Sequence, residues 1–496
     1  MRQSLMRTFN QIHIVDLHGS IKPKEPVPDG LENENVFDIQ KGVAIALFVK
    51  RPGAEPGIYH YDVWGNRLAK YRACAELDSR RFKWAAPSVF APYYMMQPID
   101  WTGWNEYGSW WQVADSLRPS AEKQQIFNVN VLGFQTHRDD FAIAPDRGEM
   151  LRRVADMIDL EISDDSIRER YKIKNNRDWS LKDARAKLRE LDDPNKNVVE
   201  CAYRPFDTQC CHFSYQFMDY PRKELLDNVL RRENPLLLLS RQIGVASWRH
   251  VSAVSTPAES CYVSDGSTEQ NYCFPLRLFN DDSEVENLSP NFRDFLNDRY
   301  DHHYTPEEIL GYIYAVLHAP TYRTKYAAFL RMDFPRVPFP EKAEDFEKLS
   351  AAGWALVQAH LMRDLPRAKL GALKGKGSSM VEHVRWSKED QIVSINQSRG
   401  FGPVPERVWN FHIGGYQVLD KYLKSRKGRK HFSDKGRGAG ADYPLTLDEI
   451  NHVGRICDAL AFTISQMEKI DEAYTSAFPD SGKAAATARM GAAKKA

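Results

Sequence analysis

The clearest pattern in the chain is a run of apolar residues on consecutive positions, 236–239, followed at once by Ser240, Arg241 and Gln242. Consecutive apolar positions are typical of a strand that is covered on both faces. Arg and Gln side chains form paired hydrogen bonds with the edges of guanine and adenine. The pattern therefore predicts a buried strand whose end presents donors, and reading DNA is one function for such an end.

Further polar residues near this strand extend the candidate surface. They are Arg204, in the stretch 202–208, and the pair Arg249 and His250. A structural reading is equally open, in which Arg241 and Arg249 pair with acidic residues. The carboxylates available for that pairing are Asp207 and Glu259.

The first 80 residues alternate between apolar runs and short polar turns. The pattern predicts helices over 2–9 and 66–77 and strands over 12–19, 44–50 and 58–65. With so few helices between them, these strands look like the edge of a sheet whose remainder is absent. An aromatic stretch, 80–118, follows; its rings could stack on nucleic acid, and we favour the reading that they seal a domain contact.

In the rest of the chain, the pattern of apolar and polar positions predicts an alternation of helices and strands. Thr305, Pro306 and Glu308 carry the signals of a helix start. Arg323 and Lys325 fall on the next predicted helix, where they could lie on a DNA backbone. The predicted helices are 146–158, 180–191, 305–319, 321–332, 344–361 and 446–472; the predicted strands are 126–133 and 271–279; the predicted irregular segments are a stiff connector over 334–340 and a mobile Gly/Lys/Ser-rich segment over 369–379.

The densest basic cluster follows residue 423 and includes Lys427, Arg429 and Lys430. Loops of this composition commonly contact phosphates, which positions a protein on DNA without choosing a sequence. A solvated loop is the alternative reading.

Composition narrows the class of protein. The 496 residues suffice for two to four domains, and 68 basic against 67 acidic residues leave a net charge of +1. Any DNA-binding face must therefore be local. The seven cysteines form no C-x-x-C pair, which predicts reduced thiols in the cytoplasm and argues against zinc. No apolar run reaches the roughly 20 residues that cross a bilayer, so we expect a soluble protein.

Several long motifs resemble one family. Taken in their order along the chain, they resemble the methyltransferase and specificity parts of single-chain Type ISP restriction-modification enzymes. These enzymes methylate adenine at N6. The motifs are IHIVDLHG (12–19), ENVFDI (34–39), GVAI (42–45), FVK (48–50), YRPFD (203–207), SRQ (240–242), WRH (248–250), AESCYVS (258–264), HAPTYR (318–323), DFPRVP (333–338) and VWNFHIGGYQV (408–418).

The resemblance implies an α/β fold in three parts with a disordered tail. Residues 1–115 would be the end of a methyltransferase domain, an incomplete Rossmann-like sheet edge. Residues 116–340 would form an α+β target-recognition domain, and 341–474 a helical C-terminal part of the specificity region. Residues 475–496 would be the tail.

The catalytic motifs of that family are missing. We find no Asn/Asp-Pro-Pro-Tyr/Phe tetrapeptide and no glycine-bearing strand-turn for S-adenosylmethionine. We also find no phosphate-binding loop and no carboxylate cluster of a metal nuclease. We therefore expect this chain alone to bind no cofactor and catalyse nothing, while the complete enzyme would use S-adenosylmethionine.

One aromatic residue carries over from the methyltransferase pattern. Phe37 occupies the place of the ring that stacks on the extruded adenine, although the match contains one extra residue before Val43. Base flipping requires such a face because the extruded base loses its stacking neighbours. Packing in a core is the alternative role for Phe37.

Three functions follow from these observations. The first is recognition of a short sequence in double-stranded DNA, in which replacing Arg241 relaxes base choice and replacing Lys427 weakens binding to every duplex. The second is an adenine methyltransferase completed in trans by a separate polypeptide that carries the missing methyltransferase, motor and nuclease parts. The third is an interaction module or a non-functional remnant with an exposed sheet edge.

Overall fold

The chain is a mixed α/β protein built from small sheets and helices. The computed structural model describes residues 1–21, 27–76, 82–115, 117–118, 123–230, 232–244, 247–266, 268–280, 283–428 and 443–479. The helices there are α1 (Arg2–Thr8), α2 (Arg67–Ala75), α3 (Trp104–Tyr107), α4 (Asp139–Ala142), α5 (Arg147–Ile158), α6 (Asp164–Tyr171), α7 (Leu181–Arg189), α8 (Lys223–Leu226), α9 (Pro290–Tyr300), α10 (Pro306–His318), α11 (Pro320–Lys325), α12 (Ala327–Leu330), α13 (Ala343–His360), α14 (Glu406–Trp409), α15 (Val418–Lys424) and α16 (Leu447–Ala477).

The strands are short and belong to several separate sheets. They are β1 (Gln11–Asp16), β2 (Ala44–Val49), β3 (Gly57–Asp62), β4 (Trp111–Gln112), β5 (Val131–Leu132), β6 (Ile143–Ala144), β7 (Val198–Arg204), β8 (Asp207–His212), β9 (Leu236–Ser240), β10 (Val251–Val254), β11 (Asn271–Pro275), β12 (Arg277–Asn280), β13 (Ser283–Glu286), β14 (Arg336–Val337), β15 (Ala372–Gly375), β16 (Arg385–Ser387), β17 (Ile392–Ser394), β18 (Arg399–Gly402), β19 (His412–Ile413) and β20 (Tyr416–Gln417).

The chain divides into two compact units, and it passes between them more than once. The first unit takes the ranges Met1–Gln125, Gln242–Trp248 and Tyr326–Arg336. The second takes Ile126–Arg241, Arg249–Lys325 and Val337–Ala496. These units follow the path of the chain in space, whereas the predicted domain bounds follow its order in sequence.

The first unit contains the sheet that the apolar runs predicted. Its order is β2-β1-β3, with β1 antiparallel to β2 and parallel to β3. Asn66 caps α2 by accepting from the N–H of Ala69 at 3.0 Å. The first five residues of β2 are exposed although all of them are apolar. An exposed apolar edge strand offers unpaired backbone groups to another chain.

The aromatic stretch of the first unit packs mostly on itself and on the returning segment 326–336. The Tyr107 ring stacks on Tyr326 at 5.1 Å, and Trp104 meets Phe329 edge-on at 5.2 Å. The guanidinium of Arg336 donates to the Trp110 carbonyl at 2.8 Å. These rings therefore build a core within this unit.

The second unit is centred on the leucine strand. Its sheet has the order β10-β9-β11-β5, and all five residues of β9 are buried, as the consecutive apolar positions predicted. Both neighbours of β9 run antiparallel to it. The predicted strand over 126–133 is shorter in the structure, where only Val131–Leu132 pairs with β11.

Helices α10, α13 and α16 form the largest helical layer of the second unit. Thr305 and Glu308 make the predicted capping box at the start of α10. The layer is close-packed, since a Cβ added at Gly353 would lie 1.9 Å from the carbonyl oxygen of Gly311. No helix among the described residues is long and apolar enough to cross a membrane.

Three predicted segments differ in the structure. The segment 369–379, predicted to be mobile, contains β15, which pairs with β18 in a four-stranded sheet inside the region expected to be helical. The reason is that β18 supplies hydrogen bonds that local composition does not encode. The predicted helix over 321–332 is two helices, α11 and α12. Residues 475–477 of the predicted tail belong to α16, and 480–496 lie outside the described residues.

Candidate nucleic-acid interface

The site begins where two neighbouring strands of the second unit end. Leu239 lies opposite Val251 across β9 and β10, and the N–H of Ser240 donates to the carbonyl of His250 at 3.3 Å. Arg241 and Arg249 directly follow and precede this last pair. The fold therefore brings two arginines, eight positions apart in sequence, to one end of a fully buried strand pair.

These two arginines differ in exposure, and a third arginine, Arg323, interacts electrostatically with Arg249. Arg249 is exposed and Arg241 is half-buried. Arg323, on α11, is also half-buried and donates from Nε to the Leu317 carbonyl at 2.5 Å. Burial and the positive charge of Arg249 lower the pKa of Arg323 to about 9. Two guanidinium groups that lie close together repel each other, and this repulsion disfavours the charged form of Arg323.

Ser240 and His250 lie inside the protein, whereas the sequence pattern predicted donors at the surface. The Ser240 hydroxyl donates to the backbone carbonyl of Glu269 at 2.5 Å. His250 Nε2 lies 3.4 Å from Glu269 Oε2, and this oxygen accepts a hydrogen bond from the Ser264 hydroxyl at 2.6 Å. Both residues belong to the covered end of the strand pair, so they fix its shape rather than face solvent.

Glu259 and Asp207, which the sequence offered as partners for Arg241 and Arg249, form ion pairs with other arginines. Glu259 accepts from Arg204 Nη1 at 2.6 Å, in a buried pair. Asp207 accepts from both terminal nitrogens of Arg426, also buried. Arg204 was predicted to contact DNA, but its side chain pairs with Glu259 instead. A guanidinium charge that is buried away from water needs a partner of opposite charge.

A glycine turn that the sequence analysis did not connect with the arginines holds one of them in place. The N–H of Gly414, between β19 and β20, donates to the Arg249 carbonyl at 2.8 Å. Gly414 has φ +55°, and a Cβ there would lie 1.9 Å from the carbonyl oxygen of Val263. The Gly-Gly pair between aromatic residues was the available signal, but its partner is set only by the tertiary structure.

The remaining predicted site residues are divided between the two units and the residues that the structure does not describe. Lys427, just after α15, is exposed, and Lys325 is half-buried. In the first unit, Gln242 is exposed and donates to the Met332 carbonyl at 3.1 Å, while Phe37 is 56 % exposed. Arg429 and Lys430 lie outside the described residues.

The glycine turn after β1 in the first unit does not fit a methyl donor. Gly19 follows β1 with φ +91°, but a Cβ at this position would lie 2.6 Å from the Cα of Asn35. The Asn35 side chain donates to the carbonyls of Gly19 and Lys41. This turn is therefore filled by protein and leaves no cradle for S-adenosylmethionine.

A family model identifies the greater part of the chain. The Type ISP C-terminal specificity domain matches residues 125–450. The chain belongs to this family. The match includes the strand pair, the buried ion pairs and the glycine turn described above. No curated protein matches the sequence.

Solved structures share the fold of this Type ISP specificity chain. A nuclease-deletion mutant of the Type ISP enzyme LlaGI, with a DNA substrate mimic, superimposes with a TM-score of 0.68 at 17% identity, over 95% of this chain and 37% of that one. The DrdV–DNA complex gives 0.69 at 19%, over 95% and 48%. The ATP-dependent Type ISP enzyme LlaBIII bound to DNA gives 0.70 at 17%, over 95% and 31%. The chain thus spans between 31% and 48% of the length of these three chains.

Proposed function

We propose that this chain selects a short sequence in double-stranded DNA, as the specificity region of a Type ISP-like restriction-modification enzyme. The observation that carries the proposal is the placement of Arg241 and Arg249 at one end of a buried strand pair, in a chain of the specificity family. Rigid strands hold arginine forks in a fixed direction, and recognition of guanine edges requires such fixed donors. The DNA in the structures of similar fold supports the same function.

Two kinds of DNA contact are proposed, and they have different consequences. Arg241 and Arg249 read bases, with Arg323 beside them for the backbone. Lys427, exposed beyond α15, contacts phosphates. Phosphate contacts position the protein on every sequence, whereas base contacts choose among sequences.

The experiment is a selection from random duplexes with the purified full chain, followed by binding measurements on the selected and on scrambled duplexes. We expect one enriched sequence that binds at least about 1,000-fold more tightly than scrambled DNA. Its affinity should fall steeply as salt increases, because phosphate contacts release counterions. Equal binding to all duplexes at every salt concentration would refute the proposal.

The first unit suggests a second role, because one edge of its sheet is apolar and exposed. Leu47 is 56 % exposed and Phe48 41 % exposed on β2. We propose that β1, β2 and β3 are the edge of a methyltransferase sheet, completed by further polypeptide that carries the methyl-donor site. In that assembly Phe37 would stack on the extruded adenine.

Complementation tests this second role. A polypeptide that carries the missing methyltransferase motifs is co-expressed with this chain, and labelled methyl transfer to DNA is measured. We expect transfer with the wild-type chain and loss of transfer with Leu47→Glu, because a charge on the apolar edge blocks pairing. A Leu68→Glu variant is the control, since Leu68 is exposed on α2 rather than on β2. Transfer that is equal with all three chains would contradict the pairing.

A further inference from the structure

The carboxyl ends of β1 and β3 bring two acidic and two histidine side chains together in the first unit. The strands are parallel, and Asp16 lies opposite Asp62 in their register. His60 precedes Asp62 by two positions, so both point to the same face of β3. His18 follows Asp16 by two positions, just beyond the end of β1.

The donor atoms of three of these residues lie at distances that metal ligands adopt. His18 Nε2 lies 3.0 Å from Asp62 Oδ1, and His18 Nδ1 lies 3.7 Å from Asp16 Oδ1. One donor atom from each of Asp16, His18 and Asp62 lies within 4.8 Å of the other two. Ligands about 2.0–2.2 Å from a central ion are separated by distances of this order.

The backbone and a tryptophan fix the ring of His18. Its φ is +53°, and its N–H donates to Asp16 Oδ1 at 2.9 Å. The imidazole stacks on Trp64 with ring centroids 3.6 Å apart. A non-glycine residue with positive φ is strained, and such strain is often retained where a side chain must be aimed.

The fourth residue, His60, provides an independent indication that this cluster binds an ion. It is 97 % buried, and its Nδ1 has no hydrogen-bond partner among the described residues. That nitrogen lies 3.7 Å from Asp62 Oδ1, while Nε2 lies 3.9 Å from Asp16 Oδ2. A buried imidazole that faces two carboxylates without bonding either of them is aimed at the space they share. Buried polar groups normally have partners, so this one calls for an explanation.

We propose that Asp16, His18 and Asp62 bind one divalent transition cation, Zn²⁺ or Mn²⁺, with His60 completing the site. Two carboxylates supply the negative charge that a divalent ion balances, and a mixed imidazole and carboxylate set suits these ions better than Mg²⁺ or Ca²⁺. Asp62 is 44 % exposed and provides the entry path. The lack of a C-x-x-C pair in the sequence does not argue against this site, because none of its four residues is a cysteine.

The ion would join the ends of two strands that are more than 40 positions apart in sequence. Because the ligands come together only in the folded unit, binding would stabilise that unit. This role is independent of DNA recognition by the second unit.

The test uses the full chain, stripped with a chelator and titrated with ZnCl₂, MnCl₂ and MgCl₂ in a calorimeter. We expect one saturable site for Zn²⁺ or Mn²⁺, with weaker heat for Mg²⁺. Asp62→Asn should weaken that site at least about tenfold, in the range seen when metal-site residues are changed. Asp29→Asn is the matched control, since Asp29 is an exposed aspartate of the same unit. It should leave affinity unchanged.

Thermal unfolding distinguishes the metal site from a plain ion pair between His18 and Asp62. The proposal expects the added ion to raise the Tm of the wild-type and Asp29→Asn chains by more than that of Asp62→Asn. An equal rise in all three chains overturns it. Should Asp62→Asn fail to fold, His18→Gln replaces it, and an unchanged affinity in His18→Gln also overturns it. Absence of saturable binding to the wild-type chain overturns it without any variant.

Discussion

Arg426 and Asp207 form a buried, two-bonded ion pair across 219 positions of sequence. Arg426 Nη1 donates to Asp207 Oδ2 at 2.8 Å, and Nη2 donates to Oδ1 at 2.7 Å. The guanidinium also lies over the Tyr422 ring at 3.5 Å. Burial alone would lower the pKa of Arg426, but the contact with Asp207 raises it. This pair fastens the segment after α15 to the start of β8.

The first prediction concerns the stability that this pair supplies. Arg426→Met should lower the free energy of unfolding by about 3 to 5 kcal/mol, because it leaves the carboxylate of Asp207 buried without a partner. Lys427→Met is the matched control, since the neighbouring side chain is exposed, and it should change stability by less than about 0.5 kcal/mol. Urea unfolding measures both. Equal effects of the two substitutions would mean that the pair is not buried in solution.

The second prediction concerns base choice. Arg249→Ala should reduce discrimination at one base pair of the selected sequence, by about 1–3 kcal/mol, because under the proposed function it removes a two-bonded base contact. Arg241→Ala should act in the same direction at a neighbouring position. Arg177→Ala controls for the lost charge, since Arg177 is exposed and pairs with adjacent Asp178. Competition binding with single-base variants is the measurement. Discrimination unchanged in Arg249→Ala and Arg241→Ala would exclude these arginines from base reading.

The third prediction separates positioning from reading. Lys427→Ala should weaken binding to selected and scrambled duplexes by the same factor. It should also reduce the slope of log affinity against log salt by about 1, as expected when one phosphate contact is lost. Binding over a salt series measures the slope. A loss confined to the selected duplex would instead place Lys427 at a base.

The fourth prediction concerns pH. His212 Nε2 donates to the Pro194 carbonyl, so its Nδ1 accepts from the Ser214 hydroxyl, and the ring is neutral. Burial lowers the pKa of His212 from 6.5 to about 4, and that of His360 from 6.5 to about 3. The unfolded chain therefore binds more protons than the folded chain as pH falls below 6.5. Above about pH 6.5 these two histidines therefore do not reduce the free energy of unfolding. On acidification below that pH, each of them lowers it by at most about 1.4 kcal/mol per pH unit.

Urea unfolding between pH 7.5 and 4.5 tests this dependence, with these values chosen to bracket roughly the unfolded histidine pKa. His212→Gln should unfold with a shallower dependence than the wild-type chain. His302→Gln is the control, because His302 is exposed after α9. A stability that is flat between these limits would contradict the buried, neutral histidines.

The fifth prediction concerns helix packing. Alanine normally stabilises a helix relative to glycine by about 1 kcal/mol. Gly353→Ala should instead destabilise the chain by about 1–3 kcal/mol or more, because the new Cβ would lie 1.9 Å from the Gly311 carbonyl oxygen. Ala355→Gly, at an exposed position of the same helix, calibrates the propensity. Thermal and urea unfolding report both variants, and a more stable Gly353→Ala chain would show that the helices are farther apart.

Local signals in the sequence were sufficient for many elements. The consecutive leucines predicted the buried strand β9, and Thr305 with Glu308 predicted the start of α10, because each depends on residues within a few positions. The four-stranded sheet around β15 was missed. Its strands are only three or four residues long, and they are stabilised by each other rather than by their own composition.

The structure shows which of the arginines grouped as candidate site residues are buried in ion pairs and which are exposed. The sequence grouped Arg204, Arg241 and Arg249 around the leucine strand and left Arg426 in the basic cluster after residue 423. Residue type alone could not tell which of these arginines were buried. The fold gives Arg204 to Glu259 and Arg426 to Asp207, and it leaves Arg249 exposed.

By itself, the sequence determined the strands and helices with strong periodicity, the mixed α/β class and the resemblance to the Type ISP specificity region. Only the tertiary structure decided which arginines are paired, which side chains meet at the ends of β1 and β3, and where Gly414 docks. The physical reason is distance along the chain. Periodicity and caps act over a few residues, whereas ion pairs and buried polar groups depend on neighbours that can be more than 200 positions away, as Asp207 is from Arg426.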